Sequence, residues 1–169
     1  MLGFVRPRSW TVTIAGGVLF GVLSKLAMKS LVMPLFGAPP RNEHFQYLAH
    51  NPGALPGILD AVVIGAGFGE ETLVRGFLFE RFARVIGVRP WAKAVAVVIT
   101  SAFFGIVHLG GQGWPGVQQA AVMGLVYGTI YARRPQLPLL MIAHAAFDVA
   151  AVVLIYNGLE TGVAHWFFR

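Results

Sequence analysis

The sequence predicts an all-α, polytopic bundle of about five helices in a lipid bilayer. Three observations carry this reading. Hydrophobic residues fill 56% of the 169 positions and charged residues only 12%, against about a quarter charged in an ordinary soluble domain; the mean hydropathy is +0.68. The apolar residues gather into runs close to or beyond the roughly 20 residues a helix needs to cross the hydrocarbon. Those runs lack the alternation, in stretches of about ten residues, that marks membrane strands. A chain of this length reads as one membrane domain, residues 1–169.

The first run is WTVTIAGGVLFGVLSKLAMKSLVMPLF, Trp10 to Phe36. It carries Lys25 and Lys29, four apart on one face, where long stems snorkel to the headgroups. The run therefore either spans the bilayer or lies in its interface. It shows no small-residue cleavage site of a signal peptide and is kept in the folded chain. The second run is PGILDAVVIGAGFGEETLVRGFLFERF, Pro56 to Phe82. The third is WAKAVAVVITSAFFGIVHL, Trp91 to Leu109, and the fourth WPGVQQAAVMGLVYGTIYA, Trp114 to Ala132. The fifth is LPLLMIAHAAFDVAAVVLIYN, Leu137 to Asn157. Breaker-rich links separate them, at Gly37 to Pro40, Gly87 to Pro90, Gly110 to Gly113 and Arg133 to Pro138. Only the polar link from Gly37 to Leu55 is long, and it reads as a loop or an interfacial piece. Gly124 and Gly128 form a GxxxG, which predicts close helix packing.

Charge sets the orientation. The net charge is +6. Arg6 and Arg8 precede the first run, Arg81, Arg84, Arg89 and Lys93 surround the link after the second, and Arg133 and Arg134 follow the fourth. The link GGQG after the third is uncharged. The positive-inside rule then puts the N-terminus in the cytoplasm and the C-terminus outside, in a multi-pass cell-membrane protein; Arg41, after the first run, runs against the pattern. Trp10, Trp91, Trp114 and Trp166 all fall at run ends, as an aromatic belt requires. The basic residues thus serve topology and contact with lipid headgroups. No basic stripe with interleaved aromatics is present, which argues against a nucleic-acid partner. The chain has no cysteine, so disulfides, thiolate metal sites and cysteine nucleophiles are excluded.

Few ionisable side chains lie at membrane depth: Asp60, Glu70, Glu71, Arg75, His108, His144 and Asp148. Each costs about 2.5–3.5 kcal/mol at the bilayer centre on insertion scales, so the set needs a shared reason, namely pairing or a watery cavity. Asp60 reads as interfacial and is given no role. Residues four apart share a helix face. Glu71 and Arg75 therefore pair within one helix. Glu70 points about 100° away and lacks such a partner, in a poorly solvated position that suits a general base. His144 and Asp148 are four apart, as are Phe104 and His108. One spare glutamate, two histidines and one aspartate suffice to activate a water and stabilise an oxyanion. They are also a first shell that zinc accepts, although no HExxH occurs. His44, His50 and His165 lie in loops or tails and read as solvated.

Three motifs appear in order: EETLVR (Glu70–Arg75), FGIVH (Phe104–His108) and HAAFD (His144–Asp148). They match EExxxR, FxxxH and HxxxN/D and resemble the CPBP intramembrane proteases, the family of type II CAAX prenyl endopeptidases and bacteriocin-processing or immunity proteins. The resemblance extends from about Ile58 to Val153, so a protease-like core of 58–153 is expected. It implies an endopeptidase whose site lies inside the bilayer and whose substrate is a membrane-associated protein or peptide. By the family's pattern Glu70 with His108 activates water, His144 and Asp148 stabilise the oxyanion, and Glu71, Arg75 and Phe104 support the site. The family has been described both as metal-free glutamate proteases and as metalloproteases. The expectation here is no cofactor, with zinc on Glu70, His108 and His144 as the alternative. A non-enzymatic immunity scaffold or transporter is the other rival. Two features depart from the pattern. Asp148 stands where Asn is common, and an aspartate donates a hydrogen bond only when protonated. The chain also has fewer helices before its first motif. By simple counting, His108 falls near the outer end of its run and His144 in the inner half of its own. A shared site therefore requires tilt or a broken segment, which Gly65, Gly67 and Gly69 would allow.

Overall fold

The structure is a computed structural model and describes residues 3–87 and 89–168. Every regular element among them is helical. We number the helices α1 (Trp10–Leu35), α2 (Pro52–Ile86), α3 (Pro90–Val107), α4 (Leu109–Arg133), α5 (Leu137–Tyr156) and α6 (Glu160–Ala164). Their boundaries follow local chemistry. Ser9 caps α1, its hydroxyl accepting from the Val12 N–H at 3.4 Å. Pro90 and Pro138 stand in the first turns of α3 and α5, where a missing N–H costs nothing. Gly87 ends α2 at φ 117°, a conformation open to glycine.

Four helices, α1, α2, α3 and α5, are long and apolar enough to cross a membrane. The sequence reading counts a fifth, Trp114 to Ala132, which is the main part of α4. That helix is 25 residues long but is interrupted at Gly113 (φ 62°, ψ −165°) just before Pro115. It also carries Gln112, Gln118 and Gln119, which lower its hydropathy. The first run is an unbroken helix of 26 residues, long enough to span. The outward faces are apolar, with Leu19, Ile64, Val98 and Ile106 all more than half exposed, as a lipid-facing surface requires. The four tryptophans are exposed at or near helix ends.

α1 packs along α5, α3 along α4, and α2 against α5. Small residues set these approaches. A Cβ on Gly21 would overlap the Ala143 carbonyl of α5. A Cβ on Gly124 would lie 3.0 Å from Ser101 of α3, with Gly128 facing Val97 beside it, so the GxxxG does pack closely against a neighbour. Tyr127, Tyr131, Leu137, Leu140 and Ala143 fill the centre.

One expectation is overturned. Lys25 and Lys29 do not snorkel outward; they are 7% and 8% exposed and point into the bundle. Lys29 Nζ lies 2.9 Å from Glu160 of α6. The same carboxylate accepts from Gln46 Nε2 at 2.7 Å and from the Asn42 N–H at 3.1 Å. Polar partners inside the bundle make an inward rotation of α1 cheaper than an outward one. The long link belongs to the same clasp. It forms 3-10 turns at Glu43–Leu48 and Pro52–Ala54, and Leu48 is fully buried against Val152 and Ile155 of α5.

Candidate active site

α2 carries the site's glutamates and is wound unusually. Over Ala61–Glu70 and Thr72–Phe79 its backbone follows the wider π pattern, which recurs at functional sites. Gly67 lets this stretch lie against α5, where a Cβ would meet Ala145 at 2.8 Å.

Glu71 is fully buried and Arg75 is 2% exposed. Arg75 Nη1 donates to Glu71 Oε1 at 2.8 Å, the pair that the i,i+4 spacing predicts. The guanidinium also lies over the Phe104 ring, 4.7 Å from its centroid, a favourable cation–π placement. The same Oε1 accepts from His144 Nδ1 at 2.8 Å. One buried carboxylate therefore ties α2 to α5.

The two imidazoles have matching tautomers. His108 Nδ1 is 2.7 Å from the Phe104 carbonyl, which only accepts, so Nδ1 carries a hydrogen. His144 Nδ1 donates to Glu71. In each neutral ring the lone pair is left on Nε2. Both Nε2 atoms lie 3.9 Å from the same atom, Glu70 Oε2. The Glu70 side chain is 37% exposed, yet Oε2 is buried and has no hydrogen-bond partner among the described residues: the stem reaches outward and the acid oxygen turns in. Asp148 Oδ2 lies 3.5 Å from His144 Nε2. The difficulty of depth is thus resolved geometrically. His108 sits at the junction of α3 and α4, His144 lies within α5, and both reach the same oxygen.

Glu70, His108, His144, Asp148 and Phe104 line one cavity of about 220 Å³. Glu71 and Arg75 stand behind it. Asp60 is exposed and does not line this cavity, and His50 and His165 are exposed as well. His44 is exposed but lines a second cavity. Among the residues that line the site cavity and that the sequence reading did not assign to it are Lys25, Gln119 and Tyr127. Tyr127 is 1% exposed, its hydroxyl has no partner among the described residues, and its ring centroid is 5.9 Å from that of His144. Lys25 was visible in the sequence as a charge in an apolar run; Tyr127 gave no signal, because a tyrosine in an apolar helix is ordinary.

An imidazole lone pair does not bond to a carboxylate oxygen directly. Two such nitrogens facing one unpartnered oxygen form a seat for a species that binds all three. A water fits it, donating its two hydrogens to Glu70 Oε2 and one imidazole and accepting from the other when that ring is protonated. The donor types also fit zinc, since each histidine is fixed through Nδ1 in the way metal-binding histidines are. The spacing is wider than the roughly 3.3 Å between two ligands on one tetrahedral zinc, and among the described residues no three of His, Asp and Glu close into a metal-holding group.

A family model described as Type II CAAX prenyl endopeptidase Rce1-like matches residues 52–150, a stretch that holds all three motifs. Neither the curated proteins nor the solved structures yielded a match. With more than half of its length covered by that match, the chain belongs to the Rce1-like family of type II CAAX prenyl endopeptidases.

Proposed function

We propose that the chain is an intramembrane endopeptidase in which Glu70 activates a water against a peptide carbonyl. The observation that carries this reading is the seat formed by Glu70 Oε2 and the Nε2 atoms of His108 and His144, each 3.9 Å from that oxygen. Family membership supports the reading.

Glu70 accepts one hydrogen of the seated water as its oxygen bonds to the scissile carbon. His108 Nε2 accepts a hydrogen bond from the other hydrogen. The carbonyl becomes an oxyanion. A protonated His144 donates to it from Nε2, while Asp148 braces that ring instead of donating itself. The Tyr127 hydroxyl is a second donor available to the oxyanion. When the intermediate collapses, the C–N bond breaks and Glu70 passes its proton to the leaving amine. The products are a carboxylic acid and an amine, with no net change in the enzyme. A substrate helix must open locally first, since its carbonyls are otherwise hydrogen-bonded.

A zinc-dependent form is the second reading, favoured by the two fixed imidazoles. Glu70, His108 and His144 would hold the ion, which would supply a more acidic water and polarise the carbonyl. In either form the substrate is a membrane-associated protein or peptide, and membrane lipids surround the bundle. The chain is a single membrane domain with its protease-like core at 58–153, its N-terminus in the cytoplasm and α4 as a fifth crossing.

The test pairs metal analysis with a cleavage assay on the purified protein in liposomes, against a library of membrane-adjacent peptides. Cleavage by wild type that is lost in Glu70→Gln, without stoichiometric zinc, supports the glutamate mechanism. Loss of cleavage together with bound zinc moves Glu70 into a metal shell. A Glu70→Gln protein that cleaves as well as wild type overturns the reading.

A further inference from the structure

Lys25 comes from α1, outside the residues that the family model matches. Its ammonium is buried, yet among the described residues it forms no ion pair. Its one hydrogen bond goes to a neutral amide, Gln119 Oε1 at 2.9 Å, and its Nζ stands 4.8 Å from the centroid of the Phe147 ring. A cation held at membrane depth with donors to spare is costly. A purely structural lysine at this depth is expected to be paired, as Lys29 is four residues on.

Its position explains the arrangement. Lys25 lines the cavity that holds Glu70 and also a second cavity of about 180 Å³. Gln119, Gln112 and Asn42 border both. The charge changes along this passage. The catalytic end presents Glu70 and Asp148. At the far end Lys29 and Glu160 pair with each other, which leaves Arg41 against Glu43, and Lys25 stands between the two ends, lining both. A peptide lying through the passage meets a carboxylate where its carbonyl is attacked and an unpaired ammonium beyond it.

We infer that Lys25 anchors a carboxylate of the bound peptide, so that the enzyme selects substrates carrying an acidic group on one side of the scissile bond. This rests on the peptidase reading for the term substrate, but the binding it predicts does not require turnover. The carboxylate comes either from a free chain terminus or from an acidic side chain.

The test measures binding by calorimetry in nanodiscs, in wild type and in Glu70→Gln alike. Three short acetylated peptides serve as probes: an apolar one with a free C-terminal carboxylate, the same peptide amidated, and an amidated peptide with one internal aspartate. A buried charge-assisted hydrogen bond predicts that a carboxylate probe binds about tenfold or more tighter than the neutral one. The first probe winning identifies a terminal carboxylate; the third winning identifies a side chain. In Lys25→Met the preference disappears. If that variant does not fold, Gln119→Glu answers the question by offering Lys25 an internal carboxylate, and it too abolishes the preference. No preference in wild type, no binding of any probe at millimolar concentration, or a preference that survives both substitutions overturns the inference. Carboxylate binding without cleavage of any peptide would leave Lys25 as an anion site and sink the peptidase reading instead.

Discussion

His144 hangs from Glu71: its Nδ1 lies 2.8 Å from the carboxylate oxygen that also accepts from Arg75 Nη1 at 2.8 Å. A helix-internal ion pair on α2 thereby fixes the ring orientation of a histidine on α5. Glu71 is the post of this arrangement in the geometric sense that one of its oxygens is the shared acceptor of Arg75 and His144.

Breaking this post should cost stability as well as activity. Removing one partner of a buried pair leaves an uncompensated charge, typically about 3–5 kcal/mol. Arg75→Met and Glu71→Gln should each lower the thermal midpoint in detergent markedly. The double variant Glu71→Leu/Arg75→Met should recover part of the midpoint and none of the activity, because His144 has still lost its anchor. A double variant as unstable as the singles would count against an ion-pair origin.

Glu70→Gln should behave in the opposite way. The side chain is partly exposed and its Oε2 has no partner, so the fold has little to lose. Peptide cleavage should fall by about 10²–10⁴, with the unfolding free energy within roughly 0.5 kcal/mol of wild type. A large loss of stability would place Glu70 in the scaffold.

Tyr127→Phe gives a sharper separation. It removes a buried hydroxyl that has no partner, so stability should stay level or rise. If that hydroxyl meets the oxyanion, kcat should drop by about 10²-fold, near the range seen for single oxyanion donors, with KM little changed. Unchanged kcat would remove Tyr127 from the mechanism.

The clasp at the far end makes its own prediction. Lys29, Gln46 and the Asn42 N–H all converge on Glu160. Glu160→Gln should loosen α6 and the 43–48 turn together, seen as faster amide exchange in both segments, while exchange around Glu70 stays slow. Loosening of α6 alone would mean that the link is held by Leu48 packing.

Close packing is testable at one atom. A Cβ on Gly21 runs into the Ala143 carbonyl, one residue before His144. Gly21→Ala should push α1 off α5, lower the thermal midpoint and reduce activity. Gly16→Ala, where nothing lies within 4 Å, is the matched control and should be neutral.

The sequence by itself determined the helical class, the boundaries of most helices, the Glu71–Arg75 pair and the motif residues. Each follows from composition, breakers or i,i+4 spacing, which act within one segment. Only the tertiary structure decided that Glu70 faces both histidines, that Tyr127 belongs beside them, and that Lys25 and Lys29 turn inward. It also decided that Gly113 breaks α4 and that Leu48 draws the long link onto α5. The reason is physical. In a soluble helix the apolar stripe declares which face is buried, but in these helices nearly every face is apolar. Rotation and depth are then set by contacts between helices, by glycines that admit a neighbour and by polar atoms that find one another, and such contacts leave no periodic mark in the chain.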